Sequence, residues 1–285
     1  MYKLTLQNEQ GNSITFNELN GPYTITDIDG LSPADANINL TDTALLDGQR
    51  FNSAKVNLRT FDIAFAIEYD AEYNRLQMYD VLNVKRPITL FYKSDLRDVY
   101  IEGYVQKVHV THFEKKQIAT VTIICPSPFF KNAQEVINEL TNTIKMFHFP
   151  FWGLNPKNIV FGEEQFLTDV TVVNEGELIT GFVVEFYASN NVSNPRVINY
   201  MTNEYIGILY DMVPGDLITI NTLAGEKTVT LLRGGAEINL FNYVQDGSTW
   251  LQLEPGENTF VYEVGAGQAS NLTVTFRHYD LFEGV

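Results

Sequence analysis

Apolar and polar positions alternate along much of the chain, which is the pattern of half-buried β-strands. In the first half this pattern predicts strands at Lys55–Ile67, Ile88–Tyr92, Tyr100–Val110 and Gln117–Ile124. One segment departs from it: Asp70 is placed to cap a helix over Ala71–Leu82, where apolar residues return every three positions at Tyr73, Leu76, Tyr79 and Leu82. Residues 132–146 fit either a second helix or an extended arm.

The second half contains short strand candidates separated by turns. They lie at Thr168–Val173, Gly181–Tyr187, Glu204–Leu209, Leu217–Ile220, Lys227–Leu232, Trp250–Leu253, Asn258–Val264 and Leu272–Phe276. The intervening segments Pro214–Asp216, Leu223–Glu226 and Pro255–Glu257 carry the Pro, Gly and acidic residues that tight turns need. This spacing predicts an antiparallel sandwich.

Length and charge divide the chain into two domains. At 285 residues it is about twice the size of a typical domain. Residues 147–160 contain Pro150, Gly153 and Pro156 among aromatic side chains, so we predict a docked linker there between domains at 1–146 and 161–285. Residues 1–150 hold 14 basic and 18 acidic residues, whereas 151–285 hold 5 and 17.

The overall composition excludes several classes of protein. With 19 basic against 35 acidic residues the net charge is −16, which repels polyphosphate, so no specific nucleic-acid binding is expected. Apolar stretches fall far short of the roughly 20 residues that span a bilayer, and the first ten residues lack the apolar core of a secretory signal, so no membrane insertion or secretion is expected. The single cysteine excludes an internal disulfide.

Candidate chemistry is sparse. Cys125 ends an apolar strand without a histidine tied to it, so burial is favoured over catalysis. His109 and His112 point to opposite faces of a strand, which is poor geometry for a shared metal. Asp27–Gly30 resembles the start of a calcium loop without its later ligands, and a turn is the favoured interpretation. Gly176–Gly181 lacks the Lys-Ser or Lys-Thr of a phosphate-binding loop.

Two tryptophans are candidates for stacking on a sugar ring. Trp250 alternates with Leu251 and Leu253, so packing in the core is favoured over a sugar platform, and Trp152 lies in the predicted linker. Acidic residues are too numerous for the sequence to mark a catalytic pair. We therefore predict no catalytic, cofactor-binding or metal site, no cofactor, and a protein that is not an enzyme.

Several motifs occur together in a distinctive order. In the first half, Gly30-Leu31-Ser32-Pro33 is followed by Asp47-Gly48, by the strand with Arg59, and by Cys125-Pro126-Ser127-Pro128-Phe129. In the second half the order is Asn174-Glu175-Gly176, Asn194-Pro195-Arg196, Pro214-Gly215-Asp216 and Glu254-Pro255-Gly256. In these features the sequence resembles the distal tail proteins of long-tailed, siphovirus-type bacteriophages, which are baseplate hub components.

The resemblance covers nearly the whole chain and implies a mainly β fold. The N-terminal domain is expected to be a β-sandwich or barrel-like ring domain with one helix, and the C-terminal domain a galectin-like antiparallel β-sandwich. Six copies would form a ring at the tail tip. Its partners would be the tail tube protein, the tail-associated lysin or adhesin, and receptor-binding proteins.

The implied role is structural: the ring would connect the tube to the adhesin or lysin, support host attachment and let DNA pass. The protein would reside in the virion tail tip after assembly in the host bacterial cytoplasm. Many relatives carry an inserted carbohydrate-binding domain, for which this chain has no room. The alternative hypotheses are a carbohydrate-binding module for a cell-wall glycan and, third, a glycosidase that uses two carboxylates. Exposure of Trp250 separates the first alternative from core packing.

Overall fold

The computed structural model describes residues 2–19, 21–42, 47–112, 114, 116–140, 143–145, 162–164, 169–267 and 269–285. The predicted linker at 147–160, with Trp152, lies outside these residues. The chain divides into two compact units: the first contains residues 1–134 together with 281–285, and the second contains 135–280. The expected division into 1–146 and 161–285 differs from this at both ends of the second unit.

The elements of the first unit follow in chain order up to Asn132. They are β1 Lys3–Asn8, β2 Ser13–Phe16, β3 Tyr23–Asp29, β4 Ala36–Asp42, β5 Gln49–Val56, β6 Arg59–Ile67, α1 Ala71–Val81, β7 Pro87–Lys93, β8 Asp98–Val110, β9 Gln117–Cys125 and β10 Phe130–Asn132. The predicted strand Lys55–Ile67 is therefore two strands, because the chain breaks at Asn57 and Leu58 where a hairpin ends and the main sheet begins.

The remaining strands belong to the second unit, apart from the last. They are β11 Val136–Leu140, β12 Thr143–Lys145, β13 Gly162–Glu164, β14 Asp169–Asn174, β15 Phe182–Ala188, β16 Val192–Ser193, β17 Arg196–Asn199, β18 Tyr205–Gly207, β19 Asp211–Met212, β20 Leu217–Asn221, β21 Thr228–Arg233, β22 Ala236–Asn239, β23 Gly256–Glu263, β24 Leu272–His278 and β25 Leu281–Phe282. Short 3-10 helices lie at Phe241–Tyr243 and Ala269–Asn271. Residues 136–140 are extended, which decides between the two alternatives left open for 132–146.

The first unit is a curled antiparallel sheet in the order β2-β1-β7-β8-β9-β6-β3. The two end strands are adjacent in sequence, and the Asn17 amide donates to the Tyr23 carbonyl between them. The alternation in the sequence explains the core: Phe61, Ile63 and Phe65 on β6 are buried, and so are the alternate residues of β9 that end at Cys125. The result is the predicted barrel-like domain with one helix in the described part of the chain.

The helix forms where predicted but buries a different face. Asn74, Met78 and Val81 face the core, while Tyr73 and Leu76 are exposed. A spacing of three residues falls about 60° short of a helical turn each time, so the predicted series drifts around half the circumference. Asp70 occupies the N-cap position in a left-handed conformation, but its side chain makes no capping hydrogen bond.

The second unit is a sandwich of two antiparallel sheets. One has the order β11-β24-β15-β20-β21-β22 and the other β14-β23-β17-β18. Phe182, Phe260 and Phe276 stack between them, with 5.2 Å between the ring centroids of Phe260 and Phe276. Trp250–Leu253 is not a strand as predicted. Leu251 and Leu253 are buried, but in this segment only Leu253 forms a β-bridge, to Thr180.

Candidate assembly surface

The residues that the sequence marked for chemistry lie apart from one another. The Cys125 thiol is buried, and burial raises its pKa to about 12, so it remains a protonated core residue near neutral pH. His109 is exposed on β8, and His112 is exposed beyond the end of that strand. Within the described residues no three His, Cys, Asp or Glu side chains converge as a metal site.

Asp27–Gly30 forms the end of β3 and a turn, as favoured. The Gly30 amide donates to Asp29 Oδ1 at 2.8 Å. Gly30 has a φ of +102°, and a Cβ there would lie 2.5 Å from the Thr60 carbonyl oxygen, so a side chain is excluded. The turn presents the Gly30 carbonyl to a buried arginine.

That arginine, Arg59, contacts two of the sequence motifs of the first half, Gly30–Pro33 and Cys125–Phe129. Its guanidinium donates to the carbonyls of Gly30, Ser32, Pro128 and Glu283 and lies 4.7 Å from the Phe130 ring centroid. Segments far apart in sequence therefore meet around one buried side chain. The motif order is a structural signature of the first unit and its carboxyl-terminal strand.

Trp250 packs against the second core and is partly buried. Its ring stacks on Phe241 with centroids 5.7 Å apart, and Lys227 Nζ lies 5.3 Å from its centroid. Because Phe241 covers one face of the indole, this arrangement favours packing over a sugar platform.

The most exposed element of the first unit is the hairpin of β4 and β5, which sequence reasoning missed. Among the strands that the structure describes, these two pair only with each other, and nearly all of their residues are exposed. An isolated two-stranded ribbon is marginally stable in water. The sequence does indicate a hairpin here, because the alternate apolar residues Ile38 and Leu40 are followed by an Asp47-Gly48 turn.

The hairpin is amphipathic. Strand register places Ala36 opposite Val56, Ile38 opposite Ala54, and Leu40 opposite Phe51 after a bulge at Asn52, so these six apolar residues share one face. Ile38 is 57%, Leu40 45% and Phe51 61% exposed. A groove of about 1010 Å³ runs along the hairpin to Leu58 and Pro126, and residues of both faces line it. We call these six residues, Ala36, Ile38, Leu40, Phe51, Ala54 and Val56, the hairpin face.

Comparison with known proteins shows which proteins this chain is similar to. Residues 175–279 match the family SPP1_Dit, described as the siphovirus-type tail component, C-terminal domain. No curated protein matches the sequence significantly. The matched residues lie within the second unit, which is therefore similar to the C-terminal domain of siphovirus-type tail components.

Solved structures extend the similarity to the whole chain. SPP1 Dit (gp 19.1), described as a paradigm of the hub adsorption apparatus in phages that infect Gram-positive bacteria, shares 12% identity over 97% of this chain and 98% of its own, with a TM-score of 0.67. A chain of the phage P2 baseplate, in its activated conformation with Ca, shares 17% identity over 100% of both chains, with a TM-score of 0.55. The predicted fold class and the resemblance to distal tail proteins of the baseplate hub are confirmed.

In the described residues no helix has the length and apolarity to cross a bilayer.

Proposed function

We propose that this protein is a non-enzymatic structural component of the tail tip, and that six copies form a ring. The ring joins the tail tube protein to the tail-associated adhesin or lysin, supports host attachment and lets DNA pass. Receptor-binding proteins attach to the same assembly, which is built in the host bacterial cytoplasm. The fold shared with a baseplate hub protein supports the structural role.

The observation that carries the ring is the hairpin face. A contiguous apolar surface on an unsupported ribbon is costly in water, and burial at an interface removes that cost. A repeated contact between identical subunits closes into a ring when its rotation permits. The hairpin is therefore the element of the first unit best suited to bind a neighbouring copy.

The charge distribution is compatible with this arrangement. Residues 1–150 carry a net charge of −4 and residues 151–285 carry −12, counted from 14 and 5 basic against 18 and 17 acidic residues. A ring closed by the less charged first unit keeps repulsion between subunits low. DNA passes most easily along a surface without a dense basic lining, because phosphate contacts would retain it.

Replacement of Leu40 by Asp tests the proposal. In light scattering the unaltered chain is expected near the mass of six 32.3 kDa copies, about 194 kDa, at high concentration. Leu40→Asp places a charge on the hairpin face and should leave only monomer. Because Leu40 is already 45% exposed, the melting temperature should stay within about 2 °C.

Leu96→Asp is the matched control, since Leu96 is exposed in the turn between β7 and β8. It should assemble as the unaltered chain does. A monomeric wild-type chain at every concentration, or assembly of Leu40→Asp, would contradict the ring through the hairpin.

A further inference from the structure

The outer face of the six-stranded sheet in the second unit carries an ordered set of polar side chains. The inward positions of its strands are buried apolar residues such as Phe186, Ile220 and Leu231. The alternate residues therefore lie on the outer face, where residues directly opposite one another on neighbouring strands form rows across the sheet. We call the middle row, which crosses all six strands, the polar row: Glu139, Thr275, Glu185, Thr219, Thr230 and Asn239.

The side chains of the polar row can bond to a ligand. Among the described residues, the hydroxyls of Thr219, Thr230 and Thr275 have no hydrogen-bond partner within the chain. The Glu185 carboxylate forms an ion pair with Arg277 in the adjacent row, which holds it in place and leaves some of its lone pairs free. With strands about 4.8 Å apart, the row extends over about 24 Å across the six strands. It is thus long enough for an extended ligand.

A row of apolar side chains borders the polar row on one side. Tyr187, Leu217 and Leu232 lie directly opposite one another on β15, β20 and β21. Tyr187 is 46% and Leu232 45% exposed, and Leu217 is half-buried. A sugar ring needs both kinds of surface, because its C–H face packs on aromatic and aliphatic groups while its hydroxyls bond to polar groups beside them.

The charge and polarity of the face select among ligands. Three acidic residues, Glu139, Glu185 and Glu237, stand on it against one cation, Arg277, and residues 151–285 carry a net charge of −12. A phosphate-bearing polymer would therefore be repelled. A protein partner would have to bury the polar row and pair each of its groups, since unpaired burial is costly. An uncharged glycan brings hydroxyls that can make those bonds.

We propose that this outer face binds an uncharged glycan, with a sugar ring packed on Tyr187 and Leu217 and its hydroxyls bonded to the polar row. Glu185 accepts hydrogen bonds from sugar hydroxyls, and the threonine hydroxyls donate or accept them. The binding does not use Trp250, and it is additional to the structural role proposed above. It needs only one copy of the chain, because all of these residues belong to the second unit.

An array of bacterial glycans with uncharged and phosphate-bearing members tests the proposal on the full chain, and isothermal titration with the uncharged member that binds best gives the affinity. The chain should bind uncharged members in preference to phosphate-bearing ones. Tyr187→Ala and Thr219→Val should each weaken the affinity about tenfold, through loss of the packed ring and of a hydrogen bond. Thr219→Val keeps the shape and strand propensity of threonine, so it tests the site without unfolding the sheet.

Tyr200→Ala is the matched control, since Tyr200 is 70% exposed in the turn between β17 and β18 of the other sheet. It should leave the affinity unchanged. The inference is overturned if no uncharged member binds, or if the affinity survives both Tyr187→Ala and Thr219→Val. Leu40→Asp should bind as the unaltered chain does, so failure of the ring and failure of this inference are measured separately.

Discussion

At the residue scale, Arg59 shows how one side chain can organise distant segments. Its planar guanidinium offers donors in several directions, and four backbone carbonyls from three segments accept them. Burial lowers the pKa of Arg59 from its ordinary value, but that value is so high that the charge is kept. A buried charge of this kind specifies the arrangement of the loops around it, because each carbonyl would otherwise lose a partner.

Replacement of Arg59 should therefore destabilise the first unit. Arg59→Ala is expected to cost about 3 kcal/mol in free energy of unfolding, since it leaves buried carbonyls without donors and opens a cavity beside Phe130. Arg59→Lys should be intermediate, because an ammonium cannot match the same directions. Denaturant unfolding measures both, and Lys107→Ala, at an exposed position of β8, should change stability by less than about 0.5 kcal/mol. If Arg59→Ala unfolded at the same denaturant concentration as the wild type, the structural role of Arg59 would be contradicted.

His278 is the buried titratable residue of the second unit with a clear pH consequence. Burial lowers its pKa below 6.5, outweighing the attraction of Asp280, whose Oδ1 lies 3.3 Å from Nε2, and of Glu135. The protonated ring would also donate to the Val173 backbone, and the opposing residues on β11 and β15 are the uncharged Val136 and Phe182. Folding therefore favours the neutral imidazole.

The stability of the second unit should accordingly decrease as the pH falls below 6.5 towards the lowered pKa. In that range the unfolded chain binds a proton that the folded chain does not, and above 6.5 the contribution is fully present. Melting temperatures between pH 7.5 and 5 measure the effect. His278→Gln should make the melting temperature depend less steeply on pH. His109→Gln, at an exposed position, should leave the pH dependence as in the wild type. An unchanged pH dependence in His278→Gln would assign it to other groups.

At the element scale, the short carboxyl-terminal strand β25 completes the first unit. Phe282 pairs with Phe130 on β10, is buried, and lies under the Arg97 guanidinium at 4.0 Å. The Val285 amide donates to the Leu31 carbonyl. Residues 281–285 thus belong to the first unit, whose other residues lie at positions 1–134.

Deletion of residues 281–285 should lower the stability of the first unit by about 3–5 kcal/mol, comparable with removal of a buried aromatic side chain. Lys107→Ala, at an exposed position of β8, is the control and should be nearly neutral. Calorimetry distinguishes the two, and equal stability of the truncated and full chains would show that the strand does not hold the unit together.

At the scale of the whole molecule, the chain passes between the two units twice, after Gln134 and after Asp280. On one side of these crossings Phe130 pairs with Phe282, and on the other side Val136 pairs with His278. Each unit therefore pairs a strand beside the crossing at Gln134 with a strand beside the crossing at Asp280. The two units are therefore not two consecutive segments of the chain.

A protease site introduced between residues 147 and 160 tests this connection. Cleavage should give two fragments on a denaturing gel, yet the native mass should stay that of the uncut chain, because β11 remains paired with β24 and β25 with β10. Release of a free fragment that begins near residue 161 would contradict the arrangement. The isolated segment 135–280 should be more stable than 161–280, which lacks β11.

The sequence by itself determined the mainly β fold, the strands β6, β7, β8 and β9, and the position of α1, because alternation and helical spacing are local properties. The sequence alone also contains no recognisable catalytic motif, and the order of its motifs indicated the resemblance to distal tail proteins. Cys125 as a core residue followed from its place at the end of an apolar strand.

Tertiary structure alone decided the rest. The buried face of α1 depends on where the sheet lies, and the break at Asn57–Leu58 depends on a hairpin that leaves the sheet. The roles of Arg59 and of residues 281–285 arise from contacts across more than two hundred positions of sequence, which no local pattern encodes. The hairpin face is apolar like any buried strand, and only the absence of a covering element among the described residues shows it to be a surface.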